Sequence, residues 1–373
     1  MTLTESQYFA LLRSALWGDP VAIEGPVDWN AVMQLAKHHA NQALLGGVAS
    51  QMTADNRPSD VMIDKMQTVM RSNLFGQMKL KQILVSAVSL LREHQIEPVL
   101  LKGFGLALLY PNPSLRQFGD IDLFVGLDDF HEACTLLRTL PGGYNWGKEE
   151  DAGHHYNIEF GNFPIEIHRI SADVNNPKKA AIFAAIEHEG LSCNTQRVDI
   201  EGFEVTIPSK DFMVFFTFFH AWEHFLTTGV GWRQISDVAI TLHAYHGQLD
   251  LDKLRQWLDA MNLMRPWRAF GCLAVEQLGL SEAEVPFYDA SCRRTAQRLY
   301  RNVMEVGNFR RNNRYKQHRP KRKLFRKFHT FFGIFVDFFY RFRVFPSAAF
   351  EEMRSSLKQG LERQGKQESV KKN

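Results

Sequence analysis

Apolar side chains recur at helical spacing over the first quarter of the chain and again in its last third. The helical period is clearest between residues 62 and 91 and in a Phe-rich stretch that follows Ser209. Between these regions the pattern changes to short apolar runs at 99–101, 121–125 and 203–207, which predict buried strands. The pattern therefore predicts an α+β fold, in which a small mixed sheet is embedded in helical N- and C-terminal regions.

A β-hairpin is the sharpest local prediction. Two alternating runs, 154–160 and 163–168, flank Gly161-Asn162, and a two-residue turn there would place Asn157 opposite Glu166 and His155 opposite His168. Alternation then gives the hairpin one apolar face and one polar face. The polar face would carry His155, Asn157, Glu159, Glu166 and His168. Such a face is typical of a solvated surface and equally of a metal site built on a sheet.

Composition narrows the class of protein. The chain has 373 residues, 45% of them hydrophobic, with 44 basic and 41 acidic side chains. These values are ordinary for a globular protein and exclude collagen-like, wholly disordered and polytopic membrane classes. We divide the chain into a helical region, a core with the sheet, a helical domain and a tail whose end is disordered, with these bounds: 1–95, 96–207, 208–309 and 310–373.

The charge is unevenly distributed. Residues 310–373 contain 18 Lys and Arg but 5 Asp and Glu, so a basic tail follows an acidic body. The segment 310–345 combines basic residues with phenylalanines, a pattern that suits a membrane surface, nucleic acid or simple packing against the acidic body. All three interpretations stay open at this stage.

Cysteines and apolar runs bear on the compartment. The four cysteines are far apart and show no C-x-x-C spacing, which argues against a disulfide framework or a cysteine-ligated zinc. The first residues lack the features of a secretory signal, and no window reaches the eighteen or so uninterrupted apolar residues of a membrane span. We therefore expect a cytoplasmic protein, with peripheral attachment to the inner membrane face as the alternative.

Two aspartates open the second predicted strand, in the run Gly119-Asp120-Ile121-Asp122. A period of two places Asp120 and Asp122 on one face of the strand. Adjacent carboxylates repel each other unless a cation lies between them, and Mg²⁺ prefers oxygen ligands. An exposed pair of aspartates at the mouth of a strand would produce the same pattern, so the context has to decide.

That context is a set of five short motifs in a fixed order. Together they resemble the polymerase-beta-like nucleotidyltransferase superfamily and, more narrowly, its bacterial branch of uncharacterised nucleotidyltransferases. The resemblance covers residues 96–245. The motifs are Leu101-Lys102-Gly103, Tyr110-Pro111, Arg116, Gly119-Asp120-Ile121-Asp122 and Ile165-Glu166-Ile167-His168.

The resemblance implies a metal-dependent nucleotidyltransferase built on that α+β core. Asp120, Asp122 and Glu166 would be the catalytic residues and would hold two Mg²⁺ ions, with Mn²⁺ as an alternative. Glu166 would also accept the proton of the acceptor hydroxyl. The cofactor-binding residues would be Lys102, Gly103, Arg116 and Gly119. The substrate would be a nucleoside triphosphate, the acceptor a small molecule or saccharide, and the released product pyrophosphate.

One departure from the superfamily pattern keeps a non-catalytic alternative open. The residue after Gly103 is usually Ser or Thr, and here it is Phe104. A hydroxyl contact to phosphate is therefore missing, as it would be in a degenerate nucleotide-binding or scaffold module. Arg116 is also ambiguous, because a salt bridge to one of the two strand aspartates would serve as well as a phosphate contact.

Other motifs suggest different chemistry. A metal-dependent glycosyltransferase also uses D-x-D, although it explains neither Lys102-Gly103 nor Glu166. His220 and His224 reproduce the H-x-x-E-H arrangement of inverted zinc peptidases, which needs a third ligand such as Glu276 or Glu305. Arg233 and Asp237 lie four residues apart on a predicted helix, where they would either pair with each other or close over the nucleotide.

Overall fold

The computed structural model describes residues 1–52, 56–144, 153–308 and 323–355. The chain begins with helices, as the apolar periodicity predicts. Thr2 and Glu5 form a capping box at the start of the first helix, and the Ser59 side chain caps the start of the fourth. These helices are α1 (Leu3–Trp17), α2 (Trp29–His38), α3 (Gln42–Ala49) and α4 (Asp60–Glu93).

A seven-stranded mixed sheet follows, in the order β3-β4-β5-β2-β1-β7-β6. Its strands are β1 (Val99–Leu100), β2 (Ile121–Phe124), β3 (Gly143–Tyr144), β4 (His155–Phe160), β5 (Phe163–His168), β6 (Gln196–Asp199) and β7 (Glu204–Ile207). The helices between them are α5 (Phe104–Ala107), α6 (Gly126–Leu137) and α7 (Pro177–Ser192). The predicted α+β class with a small mixed sheet is confirmed.

The centre of the sheet brings distant parts of the core together. β2 runs antiparallel to β1 and parallel to β5, and β1 runs parallel to β7. The β4–β5 hairpin has the predicted register, with Asn157 opposite Glu166 and His155 opposite His168. The edge strands β3 and β6 were not predicted, because one has only two residues and the other is largely polar.

Helices complete the described chain after the sheet. They are α8 (Lys210–Leu226), α9 (Trp232–Ala244), α10 (Leu251–Ala260), α11 (Met264–Leu278), α12 (Arg293–Val306), α13 (Lys323–Phe342) and α14 (346–355). The Ser209 side chain caps α8, as the sequence suggests. Eleven residues of α8 are buried, which agrees with a central helix. Helices from before and after the sheet share one core, since Phe9 of α1 packs edge-on against Trp232 of α9 with ring centroids 4.6 Å apart.

The C-terminal helices pack on the body through part of their aromatic surface. Phe345 lies against Trp222 and Phe225 of α8, with ring centroids 5.0 and 5.5 Å away. Phe332 and Phe339 on α13 are 60% and 56% exposed. The basic run 310–322 and the end after residue 355 lie outside the described residues. Contact of this tail with a membrane or nucleic acid therefore stays a prediction.

One helix of the described chain has the length and composition of a membrane span. It is α4, and 33% of its most apolar stretch is buried inside the protein. The buried side includes Leu80, Leu84 and Leu91, which belong to the main hydrophobic core. A core helix passes the same test of length and composition.

Candidate active site

Two parallel strands place the predicted carboxylates side by side. Asp122 of β2 is the register partner of Glu166 of β5, and Asp120 stands immediately before β2. Ligand atoms of Asp122, Glu166 and His168 all lie within 4.8 Å of one another. Asp120 and Glu166 line the same cleft. The structure therefore brings all three carboxylates together, although Glu166 comes from a hairpin more than forty residues downstream.

Lys102 follows β1 and reaches the same place. Its Nζ is 3.0 Å from Oδ1 of Asp122, and its side chain is 16% exposed. Burial alone would lower the pKa of Lys102, but the nearby carboxylates, Asp122 first, raise it above the ordinary value. Lys102 is therefore a charged group inside the site and not a surface lysine.

Asp122 has no exposed surface and faces Lys102 and His168. Nε2 of His168 lies 3.1 Å from the same Oδ1, while the buried Oδ2 has no hydrogen-bond partner within the part of the chain that the structure describes. Burial would raise the pKa of Asp122, but Lys102 and His168 hold it well below the ordinary value. For His168 the burial effect is outweighed by hydrogen bonds to Asp122 and Glu166, which raise its pKa. Asp122 is thus ionised and still has one oxygen available.

Asp120 lies in a different electrostatic environment. Burial and the neighbouring charge of Asp122 raise its pKa, and Lys102 offsets only part of this effect. The pKa of Asp120 is raised while that of Asp122 is lowered, and the charge of Asp122 is one cause of the shift in Asp120. Negative charge is therefore concentrated at this place. A cation bound between the two carboxylates would relieve their repulsion.

The turn after β1 is held by a buried ion pair. Gly103 has φ +63° and ψ −113°, a conformation that only glycine adopts readily, and its carbonyl accepts a hydrogen bond from Nη1 of Arg116 (3.0 Å). Arg116 also donates from Nε and Nη2 to the two oxygens of Asp237, at 2.7 and 2.9 Å. The Tyr110 hydroxyl donates to the same carboxylate at 2.7 Å. Arg116, Asp237 and Tyr110 thus lock the turn that carries Lys102.

Two expectations about arginines differ from this arrangement. The salt bridge of Arg116 is with Asp237 and not with a strand aspartate. The Arg233–Asp237 helix pair is wrong, because the bidentate fork of Arg116 already occupies both carboxylate oxygens. Arg233 instead donates from Nη1 to the Gln117 carbonyl at 3.3 Å and lines the cleft. A phosphate contact by Arg116 stays a prediction.

The cleft itself has a volume of about 240 Å³. Asp120, Glu166, Lys102 and Gly103 line it beside the sheet, and residues of α8 and α9 complete the lining. Along α8 the polar side chains Thr217, His220 and His224 form a stripe among mostly apolar residues and line this cleft. The spacing of these polar residues is visible in the sequence, and it indicates which face of α8 meets the site.

The zinc peptidase motif lacks its third ligand. Nε2 of His220 and Nε2 of His224 lie 3.0 Å apart, so the two histidines do share a face of α8. Among the described residues, no His, Cys, Asp or Glu joins this pair to form a group of three suited to a metal. Burial lowers the pKa of His224 to about 3 and raises that of Glu223 to about 7. The neutral His224 side chain is suited, with Thr217 and His220, to give the cleft a polar lining.

Two further positions of the sequence motifs have simple surroundings. Phe104 is buried and packs edge-on against Phe118, with ring centroids 4.9 Å apart. Its ring therefore fills space beneath the turn, where the superfamily usually has a hydroxyl. Gly119 is exposed, and a side chain added there would meet nothing within 4 Å. Its proposed part in nucleotide binding would have to come from its backbone.

Sheet and site together define a protein with clustered carboxylates and a lysine-bearing glycine turn at the edge of a cleft. The family model described as uncharacterised nucleotidyltransferase matches residues 25–279, and the chain belongs to this family. No curated protein and no solved structure matches the chain. The match extends well beyond the motifs 96–245, into the helices on both sides of the sheet.

His168 is the residue of the site whose role sequence reasoning missed. It stands two residues after Glu166 on the same strand face, and it was noted within the motif and the hairpin, but no function was assigned to it. The alternation that predicted the polar face was the available signal. Its burial was not predictable, because it depends on neighbours that come from other parts of the chain.

Proposed function

We propose that this protein is a divalent-metal-dependent nucleotidyltransferase that moves a nucleoside monophosphate from a nucleoside triphosphate to an acceptor hydroxyl. The observation that carries the proposal is the convergence of Asp120, Asp122 and Glu166 beside Lys102. Family membership supports nucleotidyl transfer in general. Metal dependence and the roles of single residues are our inferences from the site.

The carboxylates fit divalent cations of the Mg²⁺ or Mn²⁺ class. The buried Oδ2 of Asp122 accepts no hydrogen bond from any described residue, and the pKa of Asp120 is raised by burial and by Asp122. Asp120, Asp122 and Glu166 would hold the ions, which when bound would supply positive charge to the attacking and leaving oxygens. Without ions, Lys102 neutralises part of the negative charge of the carboxylates. Its flexible side chain can turn toward a phosphate when the ions take its place.

The positively charged side chains near the Gly103 turn would bind the nucleotide. Lys102 and Arg233 both line the cleft and would contact phosphate oxygens. Three donor atoms of Arg116 already bond to Asp237 and Gly103. We therefore assign Arg116 a positioning role: it fixes the turn, so that Gly103 can approach the triphosphate without a side chain in the way.

Glu166 would accept the proton in the transfer step. The acceptor oxygen would form a bond to the α-phosphorus while the bond to the β-phosphate oxygen breaks and pyrophosphate leaves. The hydroxyl proton passes to Glu166, whose side chain is 23% exposed and can reach an incoming acceptor. The acceptor we propose is a small molecule or saccharide.

The test is turnover of the four common nucleoside triphosphates, labelled at the α-phosphate, with Mg²⁺ or Mn²⁺ and a panel of small hydroxyl acceptors. We expect Glu166→Gln to slow label transfer and pyrophosphate release by about 10²- to 10⁴-fold. Glu159→Gln is the matched control, because Glu159 lies on the same hairpin opposite Pro164. Equal rates in the two variants would exclude Glu166 as the base. Nucleotide binding without turnover would identify a binding module.

A further inference from the structure

Three histidines meet at the open end of the hairpin. His155 begins β4 and is the register partner of His168, the last residue of β5, and His154 precedes it. Nδ1 of His155 lies 2.8 Å from Nε2 of His154. One nitrogen from each of the three rings lies within 4.8 Å of the other two. The arrangement differs from the carboxylate site because its donors are all imidazoles.

A separate observation concerns the buried ring of His168. His168 is 2% exposed, and its buried Nδ1 has no hydrogen-bond partner among the residues that the structure describes. Its other nitrogen, Nε2, lies 3.1 Å from the Asp122 carboxylate. Metal-binding histidines usually have this arrangement, in which one ring nitrogen binds the ion and the other donates to a carboxylate that fixes the ring. In His168, Nδ1 is the nitrogen left for an ion.

We propose that His154, His155 and His168 bind one transition-metal dication of the zinc class, at a site separate from the carboxylate site. Imidazole nitrogens suit Zn²⁺, Co²⁺ and Ni²⁺, whereas Mg²⁺ prefers oxygen. Three protein ligands leave a coordination position for water, as in many zinc sites. When an ion binds, Nδ1 of His168 would be a ligand without its proton, which would pass to solvent, while the hydrogen bond from Nε2 to Asp122 would be retained. A bound ion would thus hold His168 against the proposed catalytic carboxylate.

The surroundings allow the ion to enter and bind. His154 and His155 are partly exposed, so the cluster is open to solvent on their side. Burial, and then the neighbouring His155, lowers the pKa of His154 to about 3, which leaves the ring neutral as a metal ligand requires. Lys102 adds unfavourable positive charge. Glu166 opposes it, since its Oε2 lies 3.9 Å from Nε2 of His155. The backbone of His154 is fixed because its carbonyl accepts a hydrogen bond from the Arg169 amide.

The experiment is a Co²⁺ titration of the full chain, followed by visible absorption and then by competition with Zn²⁺. We expect one equivalent of Co²⁺ with a ligand-field spectrum that Zn²⁺ abolishes and excess Mg²⁺ does not. His154→Ala should weaken binding by at least about tenfold. His246→Ala, which removes an exposed histidine elsewhere, should leave binding unchanged. His154→Cys should retain the site and add thiolate-to-cobalt charge-transfer absorption, a gain that a misfolded variant would not show.

The inference does not depend on the proposed function, and the two can fail separately. Asp120→Asn should keep the Co²⁺ spectrum even where it abolishes nucleotide chemistry, because Asp120 is not one of the three ligands. Binding that is equal in wild type and His154→Ala would overturn the proposal. So would the absence of a ligand-field spectrum in the folded wild type, which would leave the histidines as a hydrogen-bonded cluster only.

Discussion

Asp237 and Asp122 are both buried aspartates beside the same cleft, and they differ in how completely they are paired. Both oxygens of Asp237 accept hydrogen bonds, from Arg116 and Tyr110, at 2.7–2.9 Å. Asp122 has Lys102 and His168 on one oxygen, and none of the described residues donates a hydrogen bond to the other. A satisfied buried carboxylate has no capacity left for a ligand. The comparison suggests that Asp237 supports the structure and that Asp122 belongs to the chemistry.

The largest expected effect comes from breaking the satisfied pair. Asp237→Asn leaves Arg116 as an uncompensated buried cation, and we expect the free energy of unfolding to fall by about 3–5 kcal/mol. Chemical denaturation measures this loss. The double variant Arg116→Met/Asp237→Leu removes both charges and should recover most of the stability. Asp259→Asn, an exposed change on α10, should lie within about 0.5 kcal/mol of wild type. A tolerated Asp237→Asn would mean that the pair is not structural.

The next largest expected effect is a loss of activity without a loss of stability. Asp120→Asn removes a carboxylate whose pKa is raised by burial and by Asp122, so metal-free folding should be unaffected or slightly favoured. Turnover should fall by about 10²- to 10³-fold, the size seen when preorganised charge stabilisation is removed. Thermal unfolding in a chelator and the rate of pyrophosphate release check the two halves. A destabilised variant would show that Asp120 has a structural partner.

The smallest expected effect is the loss of nucleotide affinity on substituting Arg233, which we compare with substitution of the other arginine that lines the cleft, Arg116. Arg233 has one hydrogen bond to a carbonyl, and we expect Arg233→Met to raise KM for the nucleotide by about tenfold, equivalent to about 1.4 kcal/mol, with little change in unfolding free energy. Arg233→Lys should restore part of the affinity. Arg116→Met should instead lower stability, because it leaves the Asp237 carboxylate unpaired. If both arginines affected only stability, phosphate binding would have to rest on Lys102.

Local patterns predicted the clustered carboxylates but not the residues that hold them in position. Alternation placed Asp120 with Asp122, and a two-residue turn fixed Glu166 in its register, because both rules act over a few residues. The Arg116–Asp237 pair spans 121 positions and forms only through tertiary packing. The helix rule therefore suggested the wrong partner, Arg233. For the same reason the burial of His168 was not predictable from local patterns.

The proposed function requires that the strand carboxylates bind a metal–nucleotide complex. The direct test of this binding is calorimetric titration with non-hydrolysable α,β-methylene triphosphates, with and without Mg²⁺. Wild type and Asp128→Asn, an exposed control on α6, should bind at least one of the four nucleotides in a Mg²⁺-dependent way. The double variant Asp120→Asn/Asp122→Asn should lose this dependence. Equal binding in all three proteins, or no binding by wild type, would contradict the account.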